Sequence, residues 1–297
     1  MRIQVREIQF EWFNQKLKIF LYTSGDVVST LFNPPNALNI YPYFLTKRKG
    51  YFLDIGAHIG TASVFASYLF GKVLAFEPDP RSSSILKQNT QINNIKNIEV
   101  ISKAVSDYCG VSYFHIENTL NAGRSSLLEI PNSTEKIEIE VVTLDSVLET
   151  SNLDVSYIKV DVEGIEINVL KGIEETISHQ PVKPVIQLEF MPSRWHHTKN
   201  SFYWFLEFIS DNNYVPFMTT QGLICPIDKR VLIGIFDSWK NLTYDSWFDL
   251  YLVPEALSSE GNILGAYNDA RYLLQYGAQQ VQCSSYQPEE NSNSLMF

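Results

Sequence analysis

One glycine-containing segment has the residues needed to hold a small cofactor. In residues 52–60 (FLDIGAHIG) an apolar run ends in Asp54, and a turn with Gly56 and Gly60 follows. Glycine adopts backbone angles that a side chain forbids and allows close packing. A dinucleotide-binding loop needs a second glycine two positions after the first to admit the pyrophosphate, and His58 stands there instead. The pattern favours a cofactor without a pyrophosphate; a tight turn without a ligand is the alternative.

A second acidic residue follows the next apolar run. Residues 72–76 are followed by Glu77, which stands 23 positions after Asp54. A carboxylate at this place in dinucleotide folds accepts hydrogen bonds from the hydroxyls of the adenosine ribose. Asp79 is instead suited to capping the helix that follows. We therefore predict Glu77 as the ribose ligand.

The third segment, residues 157–166 (YIKVDVEGIE), brings carboxylates to the end of a predicted strand. A strand buried on both faces should be apolar, so charges there are costly unless they have a partner or a function. Asp161 and Glu163 are suited to orienting a substrate hydroxyl or holding a hard divalent ion. The alternative is that these acids only complement the dipole of the next helix. We expect no essential metal, because Glu189, at the next strand end, is the one further acidic ligand in view.

A histidine pair follows the strand that ends near Glu189. Two adjacent histidines project to different sides, which argues against a metal shared by His196 and His197. Neutral imidazole can take a proton from a hydroxyl near pH 7, so His196 is a candidate general base. A surface histidine pair beside Trp195 is the alternative reading.

The elements that must position these residues are short apolar runs alternating with helical patterns, which predict a parallel sheet. Strands are predicted at residues 51–55, 72–76, 98–101, 155–160 and 185–188, with helices at about 60–70, 81–93, 164–177 and 201–211. An insertion at 109–142 contains two alternating segments, 111–115 and 137–142, that predict antiparallel strands. Residues 5–20 have apolar residues at roughly helical spacing, and the runs at 215–218 and 231–236 are expected to complete the sheet.

Composition excludes several classes of protein. The chain has 297 residues and a net charge of −10, which disfavours binding to nucleic acid. No apolar run approaches the ~20 residues of a membrane span, and the N-terminus lacks the apolar core of a signal peptide. Three well-separated cysteines favour a reduced, cytoplasmic chain and exclude a closely spaced zinc cluster.

Six blocks of the sequence follow one another in a fixed order. They are DIGAHIG at 54–60, AFEPDP at 75–80, Asn89 with Ile92 and Asn93, KAVSD at 103–107, TLD at 143–145, and KVDVEGIE at 159–166 with LKG at 170–172. Together, in register, these blocks resemble the FkbM family of S-adenosylmethionine-dependent methyltransferases. The resemblance covers about residues 50–192, and its specificity lies in the order of the blocks.

This resemblance implies an α/β fold of the class I methyltransferase (Rossmann-like) type. Such a fold has a mainly parallel seven-stranded sheet with helices on both faces and a reversed last strand. The resemblance also implies S-adenosyl-L-methionine as cofactor and methyl transfer, usually to oxygen on sugars or natural products. Asp54, Gly56 and Gly60 would form the cofactor loop, Glu77 would hold the ribose, and Lys103 and Ala104 would lie beside the adenine. The full predicted cofactor-binding set is Asp54, Gly56, Ala57, His58, Gly60, Glu77, Pro78, Lys103, Ala104 and Asp161; the predicted catalytic set is Asp161, Glu163 and His196.

The domain organisation predicted from these patterns has four parts. Residues 1–49 form a partly helical lead-in, 50–236 the catalytic domain, 237–276 a C-terminal extension, and 277–297 a disordered tail that is poor in apolar residues. The expected partner is a small-molecule or glycan acceptor, with no nucleic acid and no membrane span. The sequence leaves the oligomeric state open.

Three rival functions are weighed. A nicotinamide-dependent oxidoreductase is disfavoured by His58 in the glycine loop. A nucleic-acid methyltransferase is disfavoured by the negative charge, and by Asn36 where the NPP motif at 33–35 would need an aromatic residue. A non-catalytic, partner-binding protein with the same fold is compatible with the sequence, although the loss of Glu77 or the glycines, which would mark it, is not seen.

Overall fold

The computed structural model describes most of the chain around a central sheet. The described residues are 6–12, 15–21, 46–116, 125–129, 135–148, 153–195, 199–220, 223–240, 247–263 and 282–284. Their strands are β1 (Arg6–Trp12), β2 (Gln15–Leu21), β3 (Tyr51–Ile55), β4 (Lys72–Phe76), β5 (Ile98–Ile101), β6 (Ala104–Val105), β7 (Gly110–Ile116), β8 (Glu135–Val142), β9 (Val155–Val160), β10 (Val185–Phe190), β11 (Tyr214–Thr220), β12 (Leu223–Pro226), β13 (Phe248–Pro254) and β14 (Gln282–Ser284). Their helices are α1 (Thr61–Ala66), α2 (Pro80–Ile92), α3 (Leu144–Leu148), α4 (Glu166–Lys171), α5 (Glu174–His179), α6 (Pro192–Trp195), α7 (Lys199–Asp211) and α8 (Lys229–Trp239).

The central sheet has the strand order β12-β11-β13-β10-β9-β3-β4-β5. The run from β10 to β5 is parallel, and β13 is antiparallel to both of its neighbours. The mainly parallel α/β sheet with a reversed last strand is therefore confirmed. It has eight strands within the described residues rather than the predicted seven, because β12 returns along β11 as an edge hairpin.

Alternate side chains of the central strands enter two separate cores. Phe52 and Tyr157 pack with α1 and α2 on one face. Leu53 and Ile158 pack on the other face with α3, α4, α5, α7 and α8. Because successive residues of a strand point to opposite faces, an uninterrupted apolar run can fill both cores. Helices therefore cover both faces, as predicted.

The insertion forms a second, three-stranded sheet with the order β6-β8-β7. The predicted antiparallel pair is confirmed, with Val111 opposite Glu140 and Ile116 opposite Glu135. β6 adds to β8 in the parallel direction. The insertion therefore attaches directly after β5, at the edge of the central sheet.

The prediction of helix in residues 5–20 is wrong. The described part is the hairpin of β1 and β2, with Trp12 opposite Gln15. The apolar residues fit a period of two as well as a helical one, and Leu17 and Ile19 are buried on one face of β2. Residues 33–36 lie outside the described part of the chain.

Two asparagines hold this hairpin against α2. Asn89 accepts a hydrogen bond from the backbone N–H of Phe20 at 2.6 Å, and Asn93 accepts one from that of Lys18 at 2.8 Å. Asn93 also donates to the carbonyl oxygen of Lys18 at 2.6 Å. Asn89 donates to the carbonyl oxygen of Ile59 at 2.7 Å. The asparagines thus connect the hairpin to the loop that follows β3.

Two predictions near the C-terminus also need correction. The run at 231–236 lies within α8 and is not a strand; Leu232 and Phe236, one helical turn apart, are its buried residues. Its place in the sheet is taken by β13, in the segment predicted as an extension beyond residue 236. Gln282–Ser284 pairs with β1, so the prediction of disorder is wrong for these three residues. The rest of 277–297 lies outside the described residues.

Candidate active site

The loop after β3 adopts left-handed backbone angles at three positions. The φ angles are 81° at Gly56, 50° at His58 and 84° at Gly60. A Cβ at Gly56 would overlap the carbonyl oxygen of Asp161, and one at Gly60 would lie 2.6 Å from Cγ of Leu86. Both glycines are therefore required by conformation and by close packing. The loop is pinned between the end of β9 and helix α2.

Asp54 is a fully buried carboxylate beneath this loop. Its Oδ2 accepts a hydrogen bond from Oγ of Ser63 at 2.5 Å, and its Oδ1 lies 4.0 Å from Nζ of Lys159. Oδ1 accepts no hydrogen bond within the described residues. Burial raises the pKa of Asp54, and the nearby charge of Lys159 lowers it. Asp54 thus positions α1 and keeps one oxygen atom unsatisfied at the loop.

Glu77 connects the end of β4 to the glycine loop. Its Oε2 accepts a hydrogen bond from the N–H of His58 at 2.7 Å, and its Oε1 accepts one from the N–H of Asp79 at 2.8 Å. Burial raises the pKa of Glu77 to about 8, against the lowering effect of these two N–H groups. Asp79 caps α2 by accepting from the N–H of Arg81, the role weighed for it from the sequence. Glu77 and Asp79, on either side of Pro78, thus have different structural roles.

Lys103 and Ala104 follow β5 at the same edge of the sheet. The N–H of Glu77 donates to the carbonyl oxygen of Ile101, so the ends of β4 and β5 are adjacent. Ala104 is buried, while the ammonium group of Lys103 donates to Glu140 of the insertion at 2.5 Å. Adenine contact by Lys103 and Ala104 stays a prediction, and the Lys103 side chain is directed to the insertion.

The end of β9 carries a cluster of charged residues. Nζ of Lys159 donates to Oδ2 of Asp161 at 2.7 Å. Arg194 donates to the backbone oxygen of Glu163 at 2.9 Å and lies 3.7 Å from its Oε2. Glu163 has a φ of 58°, which places it in a tight, left-handed turn. Asp161 therefore lies next to the glycine loop and is in backbone contact with it, and Glu163 follows two residues later.

Glu166 has a structural role rather than a place in this charged cluster. It is fully buried, accepting from the N–H of Gly164 at 2.9 Å and from the indole N–H of Trp195 at 2.7 Å. Burial raises the pKa of Glu166, and these two hydrogen bonds lower it. Glu166 thus fixes the turn that presents Glu163.

Glu189 adds a third carboxylate to Asp161 and Glu163. One oxygen from each of the three residues lies within 4.8 Å of the others. Burial, and then the charges of Asp161 and Glu163, raise the pKa of Glu189 well above its usual range. The sequence offered Glu189 as a possible third acidic ligand. The strand β10 extends past its predicted end at residue 188 and includes Glu189, which places this side chain at the same edge of the sheet.

Asp249 is the site residue that sequence reasoning missed. It lies on β13 directly opposite Glu189 and accepts a hydrogen bond from Nε2 of Gln187 at 3.1 Å. Burial raises the pKa of Asp249 to about 6. An acid inside an otherwise apolar strand would have indicated a site residue. This signal was not used, because no strand was predicted at these residues. His196 lies outside the described residues, so its role stays a prediction.

These features define an α/β protein with a glycine loop and an acidic cluster at the carboxyl ends of its parallel strands, where open sheets of this kind bind ligands. The strand order, with β13 reversed between β10 and β11, is that of class I methyltransferases. A model of the methyltransferase FkbM domain matches residues 54–216, more than half of the chain. The chain belongs to this family, and the cofactor of its domain is S-adenosylmethionine.

Two relatives are similar to this chain over a part of their length. Methyltransferase 1 of Beauveria bassiana (strain ARSEF 2860) is 27% identical over 146 residues, covering 42% of this chain and 59% of that protein. The 31-O-demethyl-FK506 methyltransferase FkbM of Streptomyces tacrolimicus is 31% identical over 153 residues, covering 41% of this chain and 58% of that protein. The chain thus spans about three fifths of the length of these relatives.

Solved structures show distant similarity. A precorrin-6y C5,15-methyltransferase from Geobacter metallireducens GS-15 has a TM-score of 0.38 at 12% identity, covering 73% of this chain and 87% of that one. Trm5b from Pyrococcus abyssi also has a TM-score of 0.38, at 16% identity, covering 84% of this chain and 55% of that one. The fold assignment rests on the strand order of this chain itself and on the family match.

The residues present fit S-adenosylmethionine. Glu77 is a carboxylate at the end of the second parallel strand, the place suited to ribose hydroxyls. Oδ1 of Asp54 lies 4.0 Å from Nζ of Lys159 but accepts no hydrogen bond within the described residues, so it has room for a donor near the loop. His58 fills the position that a pyrophosphate would need.

None of the helices in the described ranges is long and apolar enough to cross a membrane.

Proposed function

We propose that this protein transfers a methyl group from S-adenosylmethionine to a hydroxyl oxygen of a sugar or a small hydroxylated natural product. The observation that supports this proposal most directly is the contact between the glycine loop and the acidic cluster. Gly56 of the cofactor loop packs directly on the backbone of Asp161, the first residue of the acidic cluster. An acceptor held by Asp161 and Glu163 would therefore lie beside the cofactor.

The proposed role of each residue follows from its position in the site. When bound, S-adenosylmethionine supplies a methyl group already activated on sulfur. Glu77 and the loop around Gly56 would hold it. Asp161 and Glu163 would orient the acceptor hydroxyl and remove its proton, because a carboxylate within hydrogen-bond reach can act as a general base. The main contribution of the chain is then to hold the acceptor oxygen in line for transfer.

The choice of an oxygen acceptor has support from a relative. The similar protein of Streptomyces tacrolimicus is described as a 31-O-demethyl-FK506 methyltransferase. The acidic cluster is suited to the same chemistry, since a hydroxyl must lose a proton to become a methyl ether.

We also propose a reduced, cytoplasmic setting, because Cys109 and Cys225 have free thiols.

A methyl-transfer screen tests this function. The purified chain is incubated with methyl-labelled cofactor and a panel of glycans and hydroxylated metabolites, and labelled products are identified by mass spectrometry. Asp161→Asn should lower kcat far more than it weakens binding of the cofactor. Product with the label on nitrogen or carbon would contradict the oxygen acceptor. Cofactor binding with no transfer to any acceptor would favour the non-catalytic rival.

A further inference from the structure

One carboxylate oxygen of the half-buried Glu189 is shielded from solvent without a visible reason. It lies in β10 between Leu188 and Phe190, both fully buried. Its Oε2 atom is buried and accepts no hydrogen bond among the residues the structure describes. Its neighbour on β13 is another acid, Asp249. An ionised carboxylate in such a place is costly unless a proton or a cation compensates it.

The nearby basic side chains are directed to other acids. Lys159 pairs with Asp161 at 2.7 Å, and Arg194 approaches Glu163 at 3.7 Å. Within the described ranges, no lysine or arginine pairs with Glu189. The charge of Asp161, Glu163 and Glu189 together exceeds that of Lys159 and Arg194 by one unit, and Asp249 lies beside them.

The geometry of the three carboxylates suits a single metal ion. One oxygen each from Asp161, Glu163 and Glu189 lies within 4.8 Å of the others. Hard divalent ions bind oxygen ligands at about 2.0–2.6 Å, so ligands on opposite sides of one ion are about 4–5 Å apart. The bond from Lys159 uses Oδ2 of Asp161, and a carboxylate has a second oxygen to offer. One oxygen from each of the three residues is therefore close enough to the others for all three to contact a single ion.

We propose that Asp161, Glu163 and Glu189 bind one hard divalent cation, of the Mg²⁺ or Mn²⁺ class, at the carboxyl ends of β9 and β10. Water would complete its coordination shell, as is usual for these ions. The sequence predicted catalysis without a metal because only Asp161 and Glu163 were close to each other in the chain. The extension of β10 to Phe190 brings Glu189 to them as the third acidic ligand. Binding of the ion is independent of the proposed function. Its use, lowering the pKa of a bound acceptor hydroxyl, rests on that function.

Titration with Mn²⁺ tests the site directly. The full chain is freed of metal with a chelator, dialysed, and titrated in the absence of cofactor, with binding followed by calorimetry and by the loss of free-Mn²⁺ signal in electron paramagnetic resonance. We expect one saturable site. Glu189→Gln, which keeps the size of the side chain, should weaken binding at least about ten-fold. The matched control is Glu138→Gln, because Glu138 is an exposed acid on β8, and it should bind as wild type.

Two further measurements keep the result unambiguous. Mn²⁺ should raise the thermal midpoint of the wild type and leave that of Glu189→Gln unchanged, because an ion that binds only the folded state stabilises it. If Glu189→Gln does not fold, Glu163→Gln serves in its place. The proposal is overturned if no saturable binding is found at millimolar Mn²⁺ or if Glu189→Gln binds like the wild type. Methyl transfer that survives chelation would refute the metal's catalytic use and keep the proposed function, whereas Mn²⁺ binding without any methyl transfer would keep the site and refute the function.

Discussion

The carboxylate of Glu77 accepts a hydrogen bond from the backbone N–H of His58 at 2.7 Å, which joins the end of β4 to the glycine loop after β3. His58 itself has a left-handed φ of 50°. Each of these residues therefore fixes the other, and the cofactor loop has a defined shape before any ligand binds. Such preorganisation reduces the ordering cost of binding.

Replacement of Glu77 tests the ribose assignment. Glu77→Ala should weaken binding of S-adenosylmethionine by about 1.5–3 kcal/mol, because it removes the hydrogen bonds that the Glu77 side chain is expected to make with the ribose hydroxyls. Calorimetric titration gives the affinity, and circular dichroism checks that the fold survives. Glu99→Ala is the control, since Glu99 is an exposed acid on β5 that pairs with Lys72. Equal affinity of Glu77→Ala and wild type would move the ribose contact to another residue.

The stability of the ligand-free protein should depend on pH through Glu77. The pKa of Glu77 is raised from 4.5 to about 8 on folding, so between these values the folded chain holds a proton that the unfolded chain has lost. The free energy of unfolding contributed by this group is therefore highest below pH 4.5 and falls as the pH rises toward 8. Urea denaturation at several pH values measures the slope. Glu77→Gln should make the slope less steep, while Glu189 and Asp249, whose pKa values are also raised, retain a part of it; an unchanged slope would assign the titration elsewhere.

The conformation of Gly56 should be indispensable. Gly56→Ala places a Cβ onto the backbone of Asp161 at a φ of 81°, so we expect a loss of about 2 kcal/mol or more in the free energy of unfolding, together with loss of cofactor binding. Gly261→Ala is the matched control, because nothing lies within 4 Å of a Cβ there. It should change stability by less than about 0.5 kcal/mol. Similar denaturation midpoints for the two variants would contradict the described loop.

The bond between Trp195 and Glu166 should stabilise the turn that presents Glu163. Trp195→Phe removes the indole donor and leaves a buried carboxylate oxygen unsatisfied, which should cost about 1–3 kcal/mol in the free energy of unfolding. Tyr203→Phe, at an exposed position on α7, should have no comparable effect. If the double variant Trp195→Phe, Glu166→Gln is no more stable than Trp195→Phe alone, the cost does not come from the buried charge.

The sequence predicted the parallel strands well and the ends of the sheet poorly. Strands β3, β4, β5 and β9 match their predicted bounds, because buried parallel strands are uninterrupted apolar runs between turns. The hairpin of β1 and β2 was missed because its alternating residues also fit a helical spacing. The run at 231–236 was missed because apolar content alone does not separate a strand from an amphipathic helix such as α8.

The candidate site divides in the same way. The positions of Asp54, Gly56 and Glu77 could be predicted because each lies at or just after the end of a strand, within a short segment, and their contacts with the cofactor stay predictions. The proximity of Glu189 and Asp249 could not, since it depends on the reversed strand β13 lying beside β10, a long-range pairing with no local signal. The use of Glu166 as a structural anchor likewise depends on Trp195, which is distant in sequence.

One titration tests the account most directly. Purified wild-type protein and Glu77→Ala are titrated calorimetrically with S-adenosylhomocysteine, the demethylated product of the cofactor, and separately with NAD. The account predicts saturable binding of S-adenosylhomocysteine to the wild type, clearly weaker binding to Glu77→Ala, and no measurable binding of NAD to either. Binding of NAD without binding of S-adenosylhomocysteine would contradict it.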